Sequence, residues 1–169
     1  MAQTYQYQLL PELAANEYSV LKADIAEHGI LVPVEVDEHG TLLDGHHRVR
    51  AWTELTAEGV EVADYPRMIR AGLTEHQKRA HVRRINLVRR HLTQDQRREL
   101  IKDQVRDTPE QSNNRIADAL GVSDMTVAAV RDELESGSQI GNVDQRVGKD
   151  GKSYPARVGD DRRAGQSSP

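Results

Sequence analysis

The chain has 169 residues, contains no Cys and is only 4% aromatic. This length allows one ordinary domain or two small ones with a mainly aliphatic core. The lack of Cys excludes disulfides and thiolate metal sites, and we expect a cytoplasmic protein. The first residues lack the basic start and apolar run of a signal peptide, and no later stretch predicts a membrane-spanning segment.

The net charge of −4 conceals two opposing segments. Residues 1–64 carry three Lys or Arg residues, whereas residues 76–102 carry nine against two carboxylates. Such a basic segment in a mildly acidic protein favours a polyanionic partner such as DNA, because phosphate neutralisation releases counterions. A solvated helix surface gives the same pattern, so charge alone leaves both interpretations open.

The N-terminal part alternates short helical and extended patterns. Residues 16–28 have apolar side chains at helical spacing and end at Gly29, a typical helix C-cap. The runs "LVPVEV" and "TLLDG" predict two short strands around the turn "DEHG". A second helix is predicted at about His46–Glu58, and "VEVADYPRMIRAGL" returns as extended structure. Residues 1–73 therefore predict a small α/β domain.

Longer helical patterns follow from Thr74. The runs "TEHQKRAHVRRINLV" and "TQDQRRELIKDQVRD" each predict a helix, the second one capped by Thr93. After Ser136 the chain is rich in Gly, Ser, Asp and Arg, which favours disorder. Within that segment, Asp150-Gly151 is typical of a hairpin turn. We therefore expect an all-helical domain at residues 74–136 and a mostly disordered, flexible tail at residues 137–169.

The segment from residue 112 to residue 136 has the spacing of a helix-turn-helix. Ile116, Leu120 and Val127 would close two short helices over a turn at Gly121. The second helix would then enter the major groove of DNA. The residues expected at or near the DNA are Ser123, Asp124, Met125, Thr126, Ala129 and Arg131, together with Arg97 and Arg98 from the preceding helix. An ordinary helical hairpin within a bundle is the alternative.

The stretch "LLDGHHRV" places Gly45 where an extended run meets the start of a helix. Free backbone N–H groups and the positive end of the helix dipole favour an anion there. Arg48, about one turn into the helix, could supply a bidentate contact to a phosphate. His46 and His47 could add donors or, together with Asp44, bind a metal. A phosphate site, a metal site and a polar helix cap remain alternatives.

Taken in order, "IAEHGILVPVEV", "LLDGHHRVRAW", "INLVRRHLTQDQRREL" and the predicted helix-turn-helix resemble the boxes of the ParB family. This family contains partition proteins and their regulatory relatives in the ParB/sulfiredoxin superfamily, and the resemblance runs from about Pro11 to Glu135. It implies an N-terminal domain that binds CTP with Mg²⁺, coupled to a DNA-binding helical domain. The nucleotide contacts that it implies are Gly45, His46, His47, Arg48, Asn86 and Arg89, with Asn86 also contacting magnesium.

Two positions depart from the partition proteins, which carry Glu where this chain has His46 and Ile85. We therefore expect nucleotide binding to persist better than hydrolysis, with slow CTP hydrolysis at most. The Asp-Gly-His-His-Arg form is also similar to the free serine kinases of the superfamily. That alternative would use Asp44, His46 or Glu35 in catalysis and ATP or ADP as the nucleotide. A DNA nuclease using Asp44, His46 and His47 is a further alternative, and sulfiredoxin activity is excluded because it needs a Cys.

The sequence thus predicts an α+β protein, with a small ParB/sulfiredoxin-like domain, a helical DNA-binding domain and a tail. The expected function is DNA binding in plasmid or chromosome partition or in transcription regulation, gated by CTP. Expected partners are double-stranded DNA, a nucleotide and a second copy in a weak or ligand-dependent homodimer, and the resemblance adds a partition ATPase. We expect the protein to be associated with the nucleoid or a plasmid and not with a membrane.

Overall fold

The computed structural model describes residues 6–88, 92–141 and 143–156. The chain divides into two compact units, Met1–Arg89 and Arg90–Pro169. Long helices accompany strands of only three residues, so the protein is of the mixed α/β class. Within the described ranges, no helix is long and apolar enough to cross a membrane.

The first unit is built around a small mixed sheet. In chain order its elements are α1 (Ala15–His28), β1 (Val34–Val36), β2 (Leu42–Asp44), α2 (His46–Ala57), β3 (Arg67–Ile69) and α3 (Glu75–Val88). Strand β1 lies in the centre, antiparallel to β2 and parallel to β3. Alternation along β1 buries Val34 and Val36 against the helices α1 and α2, while Glu35 lies on the other face.

Helix α3 belongs to this first unit. Its Val82 packs with Leu43 of β2 and with Tyr7 in a second apolar cluster. The Nζ of Lys78 also donates to Oδ2 of Asp37 at 2.8 Å, and both side chains are buried. The unit boundary therefore lies after α3, and not between residues 73 and 74 as the sequence suggested. The change from strands to long helices marked a change of secondary structure within one compact unit.

Within the described part of the second unit, side chains cap the starts of the helices, as the sequence predicts at Thr93. Thr93 accepts a hydrogen bond from the backbone N–H of Gln96, and Ser123 accepts one from that of Thr126. Gly121, with φ of 69°, ends the second helix and begins a turn of three residues. The helices are α4 (Gln94–Asp107), α5 (Asn113–Leu120) and α6 (Asp124–Ser136). Their shared core is aliphatic, formed by Leu100, Ile101, Val105, Ile116, Leu120, Val127, Val130 and Leu134.

Part of the predicted tail is ordered, which corrects the expectation of a mostly disordered segment. Strands β4 (Gln145–Val147) and β5 (Ser153–Pro155) pair in an antiparallel hairpin, and Asp150-Gly151 lies in its turn. The backbone N–H of Val147 donates to the carbonyl of Glu110, and the carbonyl of Val147 accepts from Ser112. The second unit is therefore not all-helical. Residues 157–169 lie outside the described part of the chain.

Candidate functional site

A cavity of about 460 Å³ opens at the start of α2 in the first unit. Gly45, the residue before this helix, has φ of 96°, a left-handed conformation that side chains disfavour. A Cβ there would also lie 2.7 Å from Cγ1 of Val34. Glycine is therefore required at this position by the local packing as well as by the backbone. The first helical N–H groups face no acceptor from their own helix, which makes this end of the cavity suited to an anion.

Arg48 lines this cavity and connects the start of α2 to the loop before β1. Its guanidinium donates to the carbonyls of Val32 and Pro33, and its Nη2 lies 3.1 Å from Oδ2 of Asp44. The side chains of Arg48 and Asp44 are 19% and 18% exposed, so the ion pair is partly shielded from water. Arg48, which was predicted to contact a phosphate, therefore lines the cavity. Its guanidinium already forms hydrogen bonds that fix the neighbouring loop.

The other predicted nucleotide contacts gather around the same cavity. His46, His47 and Asn86 all contribute to its lining, although they come from two different helices. His46 and Asn86 are buried, and the side-chain amide of Asn86 donates to the carbonyl of Val82. Arg89 lies outside the described residues. Five of the six predicted nucleotide contacts therefore line one cavity, and Asp44 lines it as well.

The N-terminal segment, which forms an apolar wall of the cavity, was not predicted as part of the site. Leu9, Leu10 and Leu13 line it together with Leu21. Tyr7 is anchored there, since its hydroxyl donates to Oε2 of Glu75 at 2.7 Å. Burial, which has the larger effect, and the hydrogen bond to the Glu75 carboxylate together raise the pKa of Tyr7 to about 12. The cluster of three Leu residues in "LLPEL" was the sequence signal for an apolar segment before α1.

Glu35, a candidate catalytic residue of the kinase alternative, is held elsewhere. Its carboxylate accepts hydrogen bonds from Arg70 at 2.8 and 3.0 Å and lies 2.6 Å from Nε2 of His81. These contacts, that of Arg70 foremost, lower the pKa of Glu35 to about 2. Glu35 is not among the residues that line the cavity. It is therefore an ionised structural carboxylate that ties β1 to α3.

The geometry does not favour the metal-binding alternative. Among the described residues, no group of three or more His, Cys, Asp or Glu side chains is placed to hold a metal ion. The trio of Asp44, His46 and His47 therefore lacks the arrangement that a metal-dependent nuclease would need.

In the second unit, the first turn of α6 is exposed. Ser123, Asp124, Met125 and Thr126 are all accessible, and Met125 is 79% exposed. Ala129, one turn further on, is exposed as well. Val127 and Val130 on the opposite side are buried, and the small Ala117 is buried in α5. The hairpin of α5 and α6 thus presents five of the six predicted α6 positions to a partner.

Arg131 is the exception and corrects the prediction. It is only 1% exposed, so it does not lie on the accessible edge of α6. Its guanidinium donates to Oδ1 of Asn113 at 2.7 Å and to the carbonyls of Pro109 and Gln111 at 3.0 and 2.8 Å. Burial lowers its pKa to about 10, so it stays charged at neutral pH. Arg131 therefore joins α6 to the start of α5 and is not available to a base pair.

Much of the basic segment is also neutralised within the protein. Lys78 is buried against Asp37, and Arg83 is buried as well. In α4, the Nη2 of Arg98 and the Nζ of Lys102 lie 2.6 and 2.8 Å from the carboxylate of Glu133. Arg97 is half-buried. The charge available to an anionic partner is therefore smaller than the sequence suggested.

No family profile matches the chain. An uncharacterized protein, ORF326b, of Acidianus two-tailed virus is 34% identical to it over 88 residues, which cover 52% of this chain and 25% of that protein. A solved structure described as the C2221 form of a Pnob8-like ParB-N domain aligns with a TM-score of 0.44 and 18% identity, covering 88% of this chain and 50% of that one. The chain thus spans a quarter of the viral relative and half of the ParB-N chain.

Proposed function

We propose that the chain is a ParB-like DNA-binding protein of partition or transcription regulation. The observation that carries this proposal is the α5–α6 hairpin, which buries one side of α6 and leaves its first turn exposed. A helix presented in this way fits the major groove of a duplex. The ion pairs of Arg98 and Lys102 with Glu133 hold α4 against α6 and so support the hairpin.

The test starts from a pool of random duplexes, from which bound sequences are selected and then titrated by fluorescence anisotropy. Met125→Glu should weaken binding tenfold or more, or about 1.4 kcal/mol, because a carboxylate would face the phosphates. Met125→Gln is the matched control and should retain most of the affinity. Because Met125 is 79% exposed, both variants should fold. The absence of binding to any duplex at low salt would refute the proposal.

We further propose that the cavity of the first unit binds a nucleotide, CTP with Mg²⁺ in preference to ATP or ADP. Two features support this: the start of a 12-residue helix at one end and the Leu-lined wall at the other. A phosphate chain suits the first, and an apolar wall suits the flat face of a base. Mg²⁺ bound with the nucleotide would neutralise phosphate charge, and Asn86 is the side chain that would face it.

Calorimetry with CTP, ATP and ADP, each with magnesium, tests this second proposal. Arg48→Ala should lower the affinity by about 2 to 3 kcal/mol, since a charged hydrogen-bond donor is lost from the site. Because Arg48 also fixes the loop at Val32 and Pro33, the melting temperature of the Arg48→Ala variant must be measured in parallel. Hydrogen exchange gives an independent readout, in which nucleotide should protect the amides of residues 45–48. If none of the three nucleotides binds, the cavity has another role.

A further inference from the structure

The C-terminal hairpin β4–β5 follows α6 directly in the chain, and its base is fixed to the same unit. Near the base, Nη2 of Arg146 lies 2.6 Å from Oε1 of Glu135, and both side chains are largely buried. Gln111, just before α5, forms an isolated β-bridge with Val147. The hairpin is therefore attached at two separate points of the helical unit and is held in a defined position.

Successive residues of the hairpin contact residues that lie progressively closer to the C-terminal end of α5. The carbonyl of Val147 accepts from the N–H of Ser112, the residue that caps α5. One residue later, the carbonyl of Gly148 accepts from Nη1 of Arg115 in the first turn. The Nζ of Lys149 then lies 2.6 Å from Oδ1 of Asp118 in the last turn. The tip of the hairpin therefore lies beside the end of α5 from which the chain turns into α6.

The tip itself is tightly organised. The Tyr154 hydroxyl donates to Oδ2 of Asp150 at 2.6 Å, and the N–H of Lys152 donates to Oδ1 of the same carboxylate. A Cβ at Gly148 would come within 2.8 Å of the Tyr154 ring and of Oδ1 of Asp150, so a larger residue there would displace these two side chains. Both oxygens of Asp150 are engaged within the turn and Lys149 is paired with Asp118, which leaves Lys152 as the exposed cation of an ordered tip. A turn that is ordered before binding loses less entropy when it binds.

We propose that this hairpin, residues 145–155, is a DNA-binding wing that contacts the phosphate backbone beside the groove entered by α6. Lys152 at its tip is exposed and forms no ion pair with any described residue, and Lys149 is half exposed. The Lys149–Asp118 pair places the tip beside the last turn of α5, and that turn leads through Gly121 to the exposed first turn of α6. One duplex can therefore contact both. This inference rests on the proposed DNA binding.

Salt dependence tests the contact directly. Lys152→Ala should reduce the slope of log K against log salt concentration by about 1, as expected for one lost phosphate contact. Lys152→Arg retains the charge and should retain the slope. Because the side chain of Lys152 is exposed, neither variant should change the circular dichroism spectrum or the melting temperature. Equal slopes for Lys152→Ala and the unaltered protein would overturn the wing.

Cross-linking gives a second and positional readout, since the chain has no native Cys. A photo-activated cross-linker attached at Lys152→Cys should capture the selected duplex, as should one at Met125→Cys in α6. Glu61→Cys, in an exposed loop of the first unit, gives the background level. If Met125→Cys cross-links and Lys152→Cys remains at the background level, the proposed contact of the wing with DNA is contradicted. The proposed DNA binding by α6 would then stand. If the unaltered protein binds no duplex, the proposed function fails and the wing fails with it.

Discussion

Replacing Arg131 with Ala separates a structural role of this residue from a role in DNA contact. A residue that contacts a base pair would change sequence preference and leave the fold intact. Arg131 is 1% exposed and donates hydrogen bonds to three acceptors near the start of α5. We therefore expect Arg131→Ala to destabilise the second unit and to weaken binding to all DNA sequences alike.

The magnitude follows from what is left behind. The change removes a charged donor and leaves the carbonyls of Pro109 and Gln111 and the side chain of Asn113 without it. A hydrogen bond to a charged group contributes about 1.5 to 3 kcal/mol, and the lost packing adds to this. The acceptors are close to the surface, so water can replace part of the loss. We expect a net cost of about 3 to 5 kcal/mol, which is a large part of the stability of a small domain.

Hydrogen exchange measures this cost where it should occur. A loss of 3 to 5 kcal/mol corresponds to roughly two to four orders of magnitude faster exchange for the protected amides of α5 and α6. Met125→Ala is the matched control on the same helix, and because Met125 is exposed its exchange should be unchanged. Unaltered protection in Arg131→Ala, accompanied by a change of preference at one base pair, would refute the structural assignment.

Three further outcomes follow from the first unit and from assembly. Lys78→Met should lower the free energy of unfolding by about 3 to 5 kcal/mol, because it leaves the buried Asp37 carboxylate without its cation. An unchanged midpoint of urea unfolding, monitored by the fluorescence of Trp52, would contradict this. The pKa of Glu35 is lowered from 4.5 to about 2 in the folded protein, so its contribution to stability is present above pH 4.5 and is lost as the pH falls toward 2. In Glu35→Gln, the stability should therefore depend less on pH in that range. Light scattering should show weak self-association that strengthens when DNA and nucleotide are both present, and a tight dimer without ligands would contradict it.

Local features of the fold were predictable from the sequence because they depend on neighbouring residues. The predicted helices agree with the structure to within a residue or two, since apolar spacing and capping by Thr93 and Ser123 act over one or two turns. The turn at Asp150-Gly151 was predictable for the same reason. The gathering of Gly45, His46 and Arg48 followed from their place on one helix start.

Features that depend on distant partners were not predictable in the same way. In the basic segment, Lys78 is paired with Asp37, 41 positions away in the sequence. Arg98 is paired with Glu133, 35 positions away. No local pattern indicates these pairs. Arg131 is different, because it occupies the core stripe of Val127, Val130 and Leu134 at helical spacing. Its charge suggests exposure, whereas its position on the helix indicates burial.

The last prediction concerns hydrolysis at the cavity of the first unit. A hydrolytic site needs a group that holds the metal or orients the attacking water. Among the described residues that line this cavity, Asp44 contributes the one carboxylate, and it is ion-paired with Arg48. We therefore expect CTP turnover to be slow or undetectable even where CTP binds. Phosphate release measured alongside calorimetry tests this, and His46→Glu is the informative variant, because it adds a carboxylate in the cavity wall. Several turnovers per minute by the unaltered protein would show that the described lining already contains a competent group.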